Sequence, residues 1–401
     1  MKLLLGTEAN EGMGHIAPWT SFIVLAQQHG VDLHMAAPDL AKLHSFMGQH
    51  LNMNLWQAPC VQSARSDAGT PAKSWPEILV SLGYADVDGL TGAVKAWISI
   101  LKSLEPDLLM ADYAPTLIVA ARVLSIPVIE VGSGFCVPPL LNGPHALPGI
   151  RNADQQAMSL ASNQLTHSIN AALHACAHLE VLSSFAEMAL WPERRVVTSP
   201  PELDHYGERS DVLYAGFLGS SISSFTTPSQ PGSAIKATSN NECGSPPSIV
   251  GYLKAATPGL DTLIEQLRRA GVKAHLVVPD GSDALMTSQD EVVVSRTLID
   301  LSVELPRADV YLSNGGLHGV GQALKAGCWP VVVPMQAEQV AMARQLVMRQ
   351  WGSFWLAEST AKPEQTLSTW LDVKNCTTPF LTNTTSAENI LLALVETFGE
   401  G

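Results

Sequence analysis

The sequence predicts an α/β protein of two doubly wound, Rossmann-like domains facing each other across a cleft. Three observations predict it. The chain has 401 residues and 46% apolar content, and single hydrophobic cores stop growing at roughly 250 to 300 residues, so two cores are expected. Short apolar runs alternate with helical patterns in each half, which is the rhythm of a parallel sheet covered by helices. Between the halves, residues 220–247 ("SSISSFTTPSQPGSAIKATSNNECGSPP") consist mostly of Ser, Thr, Pro, Gly and Asn, with little to bury, and read as a linker or surface excursion.

Taken in order, residues 2–5, 31–36, 107–111 and 127–131 read as buried strands, and 18–28, 88–103 and 114–124 as helices. A long helical stretch over 152–183 follows the Pro- and Gly-containing run "CVPPLLNGPHALPG". After the linker, strands are expected near 249–253, 273–278, 291–295, 309–313 and 330–333, with helices near 259–270, 317–326 and 337–349. The expected domains are therefore 1–219 and 248–385, with a last helix in 386–401 ("SAENILLALVETF") placed to pack back on the first domain.

Composition narrows the function. Net charge is −14 and Lys plus Arg total 23, which leaves no basic stripe for a nucleic-acid backbone. Cys60, Cys136, Cys176, Cys243, Cys328 and Cys376 are far apart with no C-x-x-C pair, so a zinc knuckle or secreted disulfide frame is not expected. "MKLLLGTE" is too short an apolar start for a signal peptide, and no run reaches the ~20 apolar residues of a membrane span. A cytoplasmic, soluble protein is expected. His174 and His178 in "HACAH" share a helical face in the predicted stretch, yet no third ligand accompanies them, and "NTT" at 383–385 is a glycosylation acceptor only in a secreted chain.

Two constellations belong at carboxyl edges of the sheets, where ligands of doubly wound domains bind. In the first, "GTEANEGMGHIAPW" (residues 6–19) follows the first strand, and its Gly12 and Gly14 leave room for a ligand near the backbone. His15 stands just before the next helix, and imidazole suits proton removal near neutral pH if a partner orients its other nitrogen. Asp112 in "LLMADYAP" ends a strand on the same edge and is that partner, unless it caps the helix that begins near Pro115. Trp75, Trp97 and Trp191 serve either an acceptor pocket or the core.

The second constellation is "YLSNGGLHGVGQALKAGCWPVVVP" (311–334), a strand, a Gly-Gly turn and a helix N-terminus, the arrangement that cradles an anion. No Lys or Arg lies between Tyr311 and Gln322, so the cradle is neutral. "PMQAEQ" adds Glu338 and Gln339, a carboxylate and an amide suited to vicinal hydroxyls, unless they only cap a helix.

"GMGHIAP", "PDLLMADYAPTLIVAARVLSIPVI" and "LPRADVYLSNGGLHGVGQALKAGCWPVVVPMQAEQ" together resemble the GT-B family of inverting, sugar-nucleotide-dependent glycosyltransferases, in order and spacing over most of both halves. This group includes bacterial enzymes that glycosylate macrolides and other small hydrophobic molecules. "PELDHYGER" (201–209) is similar to a stretch in an uncharacterised bacterial branch. The resemblance implies transfer from a UDP or dTDP donor to a hydroxyl of a small-molecule or lipid-like acceptor, without metal or redox cofactor. It implies His15 as general base and Asp112 as its dyad partner, with Gly14, Trp19 and Tyr113 on the acceptor side. On the donor side it implies Gly315 and Gly316 under the diphosphate, Glu338 and Gln339 on sugar hydroxyls, and Leu298 at the base, with Asn314, His318, Gly319 and Gln322 around them.

Five departures stand out. The family usually carries His at Asn314, Gly or Asn at His318, Ser or Thr at Gly319, and often Glu at Gln322; it also has "GVP" where this chain has "GCW" (327–329). Loss of one charge-assisted hydrogen bond to phosphate costs roughly 1.5–3 kcal/mol, while the helix N-terminus remains. Asn314 retains one neutral hydrogen bond, and His318, one helical turn on, either reaches back to a phosphate oxygen or points away from the N-terminal pole. A relative that has lost donor binding and acts as a ligand-binding or partner protein is the alternative.

Overall fold

The computed structural model describes residues 1–8, 14–47, 53–61, 72–140, 145–150, 152–219, 248–289, 291–356 and 386–399. The expected linker 220–247, the Gly12 turn and the "NTT" at 383–385 lie outside them. The chain divides into two units, Met1–Gly219 with Thr385–Gly401, and Ser220–Thr384.

The first unit is built on β1 (Lys2–Thr7), β2 (Asp32–Ala37), β3 (Asn54–Gln57), β4 (Leu108–Asp112), β5 (Val128–Gly132), β6 (Arg194–Val197) and β7 (Leu213–Tyr214). They form one sheet in the order β3-β2-β1-β4-β5-β6-β7, every neighbouring pair parallel. All five residues of β4 are buried, as a central strand covered on both faces requires. Its helices are α1 (Thr20–Gln28), α2 (Leu40–Met47), α3 (Trp75–Ser81), α4 (Val87–Leu104), α5 (Pro115–Leu124) and α6 (Gln155–Ala175). The C-terminal helix, Ala387–Gly399, belongs to this unit. Its Ala387, Leu391 and Val395 join Phe22, Ile23 and Met110 in one core. Glu388 accepts from Ser21 Oγ at 2.6 Å and from Gly219 N at 2.8 Å.

The helical stretch expected over 152–183 is shorter. α6 ends at Ala175, and Ala177 adopts a left-handed φ of 57° that turns the chain away. Asn170 then holds the returning segment through Leu182, donating to its carbonyl at 3.0 Å and accepting from its N–H at 2.8 Å. His178 thus lies beyond the helix, with Nε2 3.3 Å from Glu180, and shares no helical face with His174. The β3, β6 and β7 strands were not expected; they are edge-side pieces of four residues or fewer.

The second unit holds β8 (Ser248–Tyr252), β9 (Lys273–Val277), β10 (Thr287–Gln289), β11 (Val292–Ser295), β12 (Val310–Ser313), β13 (Trp329–Val332) and β14 (Ser353–Phe354), in the order β10-β11-β9-β8-β12-β13-β14. Only the β10–β11 edge pair is antiparallel. Its helices are α7 (Leu260–Arg269), α8 (Leu301–Glu304), α9 (Leu317–Lys325) and α10 (Ala337–Met348). Leu263, Leu267, Leu276, Leu312 and Val331 lie in its core.

Candidate active site

In the first unit, parallel pairing places Thr7 beside Asp112, so the ends of β1 and β4 share one edge. The chain leaves that edge through Tyr113, at a left-handed φ of 51°, and Pro115 begins α5. Asp112 does not cap α5, whose N-cap position, Ala114, makes no side-chain cap. Instead both carboxylate oxygens are taken by the segment after β1. His15 Nδ1 lies 3.0 Å from Oδ1, and Trp19 Nε1 donates to Oδ2 at 2.9 Å. Asp112 is buried, while the His15 side chain is 24% exposed. A carboxylate accepts only, so Nδ1 carries the imidazole proton and Nε2 is the basic nitrogen.

Trp19 therefore differs from its expected acceptor-side role. It is 1% exposed and packs edge-on against Phe22, beneath the carboxylate. Gly14 is exposed, and a side chain built there would meet nothing within 4 Å. Tyr113 lies 5.8 Å from the His15 ring and meets Trp75 edge-on at 5.3 Å; Trp75 meets Phe135 at 5.8 Å. Trp97 is fully buried, and Trp191 lies under the Arg122 guanidinium.

In the second unit the chain passes from β12 through Asn314 and Gly315 to Gly316, the N-cap of α9. Gly315 has φ 91°, and a Cβ there would stand 2.6 Å from Val332 Cγ1, so only glycine passes over β13. No side chain caps α9, and its first intrahelical bond is Val320 N to Gly316 O. Gly316 is exposed. Gly319 is glycine because the Tyr311 hydroxyl occupies the place of its side chain, 2.5 Å from a built Cβ.

The side chains around this turn face each other more than the expected roles require. Asn314 is buried and fully engaged: Oδ1 accepts from Lys254 N at 2.9 Å, and Nδ2 donates to Thr257 Oγ1 at 3.0 Å and Val333 O at 2.9 Å. Both amide hydrogens are thus held inside the protein, which corrects the expectation of a hydrogen bond to phosphate. Gln322 Nε2 lies 2.8 Å from His318 Nε2, an i,i+4 pair along α9, and Gln322 Oε1 is buried without a hydrogen-bond partner among the described residues. Gln339 Oε1 accepts from Met335 N at 2.7 Å and so closes the turn into α10. Its Cβ lies 3.5 Å from the place a Gly315 side chain would take, so the two expected donor-side residues adjoin. Glu338 is half-buried in the first turn of α10, and Leu298 is 66% exposed beyond β11. Among the described residues, no group of three His, Cys, Asp or Glu is placed to hold a metal. No helix among them is long and apolar enough to cross a membrane.

No family model and no curated protein matches the sequence. Solved structures match it over its whole length. The spinosyn rhamnosyltransferase SpnG does so with a TM-score of 0.62 at 16% identity, covering 100% of both chains. The glycosyltransferase SsfS6 of Streptomyces sp. SF2575, complexed with thymidine diphosphate, gives a TM-score of 0.57 at 16% identity over 99% of each chain. MurG of Acinetobacter baumannii gives 0.59 at 15% identity, over 99% of this chain and 100% of its own. The chain has the GT-B glycosyltransferase fold.

Within that GT-B fold, two features escaped sequence reasoning. Glu8, directly after β1, does what Asp112 does not: its carboxylate caps α5, accepting from Thr116 N at 3.3 Å and Leu117 N at 2.9 Å. It also accepts from Thr116 Oγ1, Tyr84 OH and Trp97 Nε1 at 2.8, 2.9 and 3.0 Å. Burial pushes its carboxyl up, and the hydrogen bonds from Thr116, Leu117 and Tyr84 pull in the opposite direction. The only sequence signal was an acid at the end of an apolar strand.

The second feature is an ion network that gives "PELDHYGER" a structural reading. Asp204 is fully buried and accepts from Arg209 Nε at 2.9 Å, Tyr214 OH at 2.8 Å and Tyr206 N at 2.9 Å. Arg209 also donates to Val137 O at 2.5 Å. Nearby Arg195 pairs with Glu130 at 2.7 Å and Asp211 at 3.1 Å and donates to Pro138 O. The two guanidinium groups thereby hold the loop after β5, which carries Phe135, whose ring lies 5.8 Å from that of His205.

Proposed function

We propose that the protein is an inverting glycosyltransferase that moves a sugar from a UDP or dTDP donor to a hydroxyl of a small-molecule or lipid-like acceptor. The observation that carries this reading is the His15–Asp112 pair, in which a buried carboxylate orients an imidazole that is itself partly exposed. Support comes from the fold: SsfS6 and SpnG have been solved with thymidine diphosphate, and SpnG with spinosyn aglycone.

In this reading His15 Nε2 takes the proton of the acceptor hydroxyl. As that oxygen bonds to the anomeric carbon, the bond from that carbon to the diphosphate oxygen breaks, and the nucleoside diphosphate leaves with the electron pair. Attack from the face opposite the leaving group inverts the carbon. A positioned base is worth about 10² to 10⁴ in rate, and Asp112 stabilises the imidazolium that forms. In the second unit, the N-terminus of α9 faces the leaving diphosphate with its N–H groups and dipole, and Glu338 and Gln339 meet the sugar. None of these steps uses a metal.

The test is product formation, read by mass spectrometry, from UDP- and dTDP-hexoses offered with macrolactone, phenolic and lipid alcohols. His15→Ala should abolish product while nucleotide affinity is unchanged; undiminished turnover would overturn the mechanism. The engagement of Asn314 inside the protein favours a second reading, a GT-B relative without donor binding. Calorimetric titration with UDP and dTDP separates the two, since a protein that takes up neither at millimolar nucleotide is not the transferase.

A further inference from the structure

The donor cradle lacks a cation in its own sequence segment, and the structure brings one from a neighbouring strand. We infer that Lys254 is the phosphate-binding cation of the nucleotide site, an inference that rests on the donor reading proposed above. β8 and β12 are parallel neighbours with Tyr252 opposite Ser313. Lys254 follows two residues beyond Tyr252, and its N–H bonds the Asn314 side chain, at the carboxyl edge of the sheet where the turn into α9 begins.

Three observations place Lys254 there for a ligand. Its backbone is pinned on both sides: the N–H donates to Asn314 Oδ1 at 2.9 Å, and the carbonyl accepts from Thr257 N at 3.0 Å and Thr257 Oγ1 at 2.6 Å. Asn314 closes the ring by donating to Thr257 Oγ1 at 3.0 Å. The residue is exposed, directly after buried Leu253, and its ammonium makes no hydrogen bond or ion pair with any described residue. Among the described residues, the other cation just beyond a strand end on this edge, Arg296 after β11, is already held by Gly281 O and by Asp283, each at 2.6 Å.

The neighbouring anion is Asp280. Its Oδ1 accepts from Ala255 N at 2.8 Å and so fixes the same turn, and among the described residues it forms no ion pair with the Lys254 ammonium. A lysine ammonium on a flexible stem is a point charge that follows a diphosphate without bidentate geometry. The roles at this edge have thus been exchanged. Asn314 supports the turn, and the charge comes from the turn it supports.

Titration calorimetry of the full chain with dTDP, UDP, thymidine, uridine and inorganic pyrophosphate, repeated at several NaCl concentrations, tests this. Lys254→Ala should weaken both nucleoside diphosphates and pyrophosphate by about tenfold to a hundredfold, flatten the salt dependence of Kd, and leave nucleoside affinity unchanged. Lys254→Arg should restore most of the loss. Thermal unfolding of both variants should match the wild type, because the side chain is exposed. A wild type that binds diphosphates and a Lys254→Ala variant with the same Kd and salt slope would overturn this inference alone. A wild type that binds neither UDP nor dTDP overturns the donor reading, and this inference with it.

Discussion

The indole N–H of Trp19 donates to Asp112 Oδ2 at 2.9 Å, on the oxygen that His15 does not use. A carboxylate held at both oxygens cannot rotate away from the imidazole, so Trp19 acts on His15 through Asp112. Trp19→Phe keeps most of the buried ring and removes one hydrogen bond to a charged group, about 1.5–3 kcal/mol. The expected outcome is a kcat lowered about tenfold with KM for donor and acceptor unchanged. Asp112→Asn should cost more, about 10³ in kcat, because the amide favours the wrong imidazole tautomer. Steady-state kinetics of both variants checks the order; equal kcat for wild type and Trp19→Phe would remove the indole from the mechanism.

Asn314→His puts back the residue the resembling family carries, and it should do harm. Asn314 is buried and joins three partners on two other segments. An imidazole cannot accept from Lys254 N while donating to both Thr257 Oγ1 and Val333 O, so at least one buried polar group loses its partner, at about 1–3 kcal/mol. Urea unfolding should show that loss. Nucleotide affinity should fall together with it, because the turn carrying Lys254 is released; improved affinity in this variant would show that Asn314 is a ligand position after all.

How much of this was legible in the sequence depends on whether residue type and strand position together name a partner. His15 and Asp112, 97 residues apart, could be paired because an imidazole after one apolar strand and a carboxylate at the end of another suit each other, and strands of a parallel sheet deliver their ends to one edge. Trp19 and Glu8, whose partners lie at similar separations of 93 and 108 residues, could not, since an indole reads as core and an acid at a strand end does not say which donors it meets. The Gly-Gly turn was legible from local backbone needs, whereas the inward orientation of Asn314 was not: it depends on Thr257 and Val333, which only the sheet order brings together. β7 and β14, of two residues each, carry too little periodicity to be seen. The "HACAH" face failed for a local reason, the left-handed turn at Ala177.

Burial of Glu8 should give the stability a pH dependence. Burial raises its folded-state pKa above the ordinary 4.5, against the pull of its hydrogen bonds. A raised folded value means the folded state holds a proton that the unfolded chain has released. The contribution is therefore fully present below pH 4.5 and is lost as pH rises through the folded value. Glu8→Gln cannot titrate, and its amide faces donors, so it should be less stable by about 1–3 kcal/mol at neutral pH. The gap between wild type and variant should narrow as pH rises through that window. Urea unfolding across the acid range measures it, and a gap that widens would reverse the assignment.

Asp204 and Arg209 form the most deeply buried ion pair of the "PELDHYGER" segment, with side chains 0% and 10% exposed. Removing one member leaves the other charge without its partner, which costs about 3–5 kcal/mol. Asp204→Ala should therefore destabilise the first unit by about that amount and free the Tyr214 phenol, whose pKa burial and the Asp204 hydrogen bond push up to about 12. The pKa of Tyr214, read by ultraviolet titration, should fall in Asp204→Asn, where the negative charge is gone. Combining Asp204→Ala with Arg209→Met removes both charges and should recover a large part of the lost stability. If the double variant is no more stable than Asp204→Ala, the cost belongs to the lost Tyr206 and Tyr214 hydrogen bonds rather than to the stranded guanidinium.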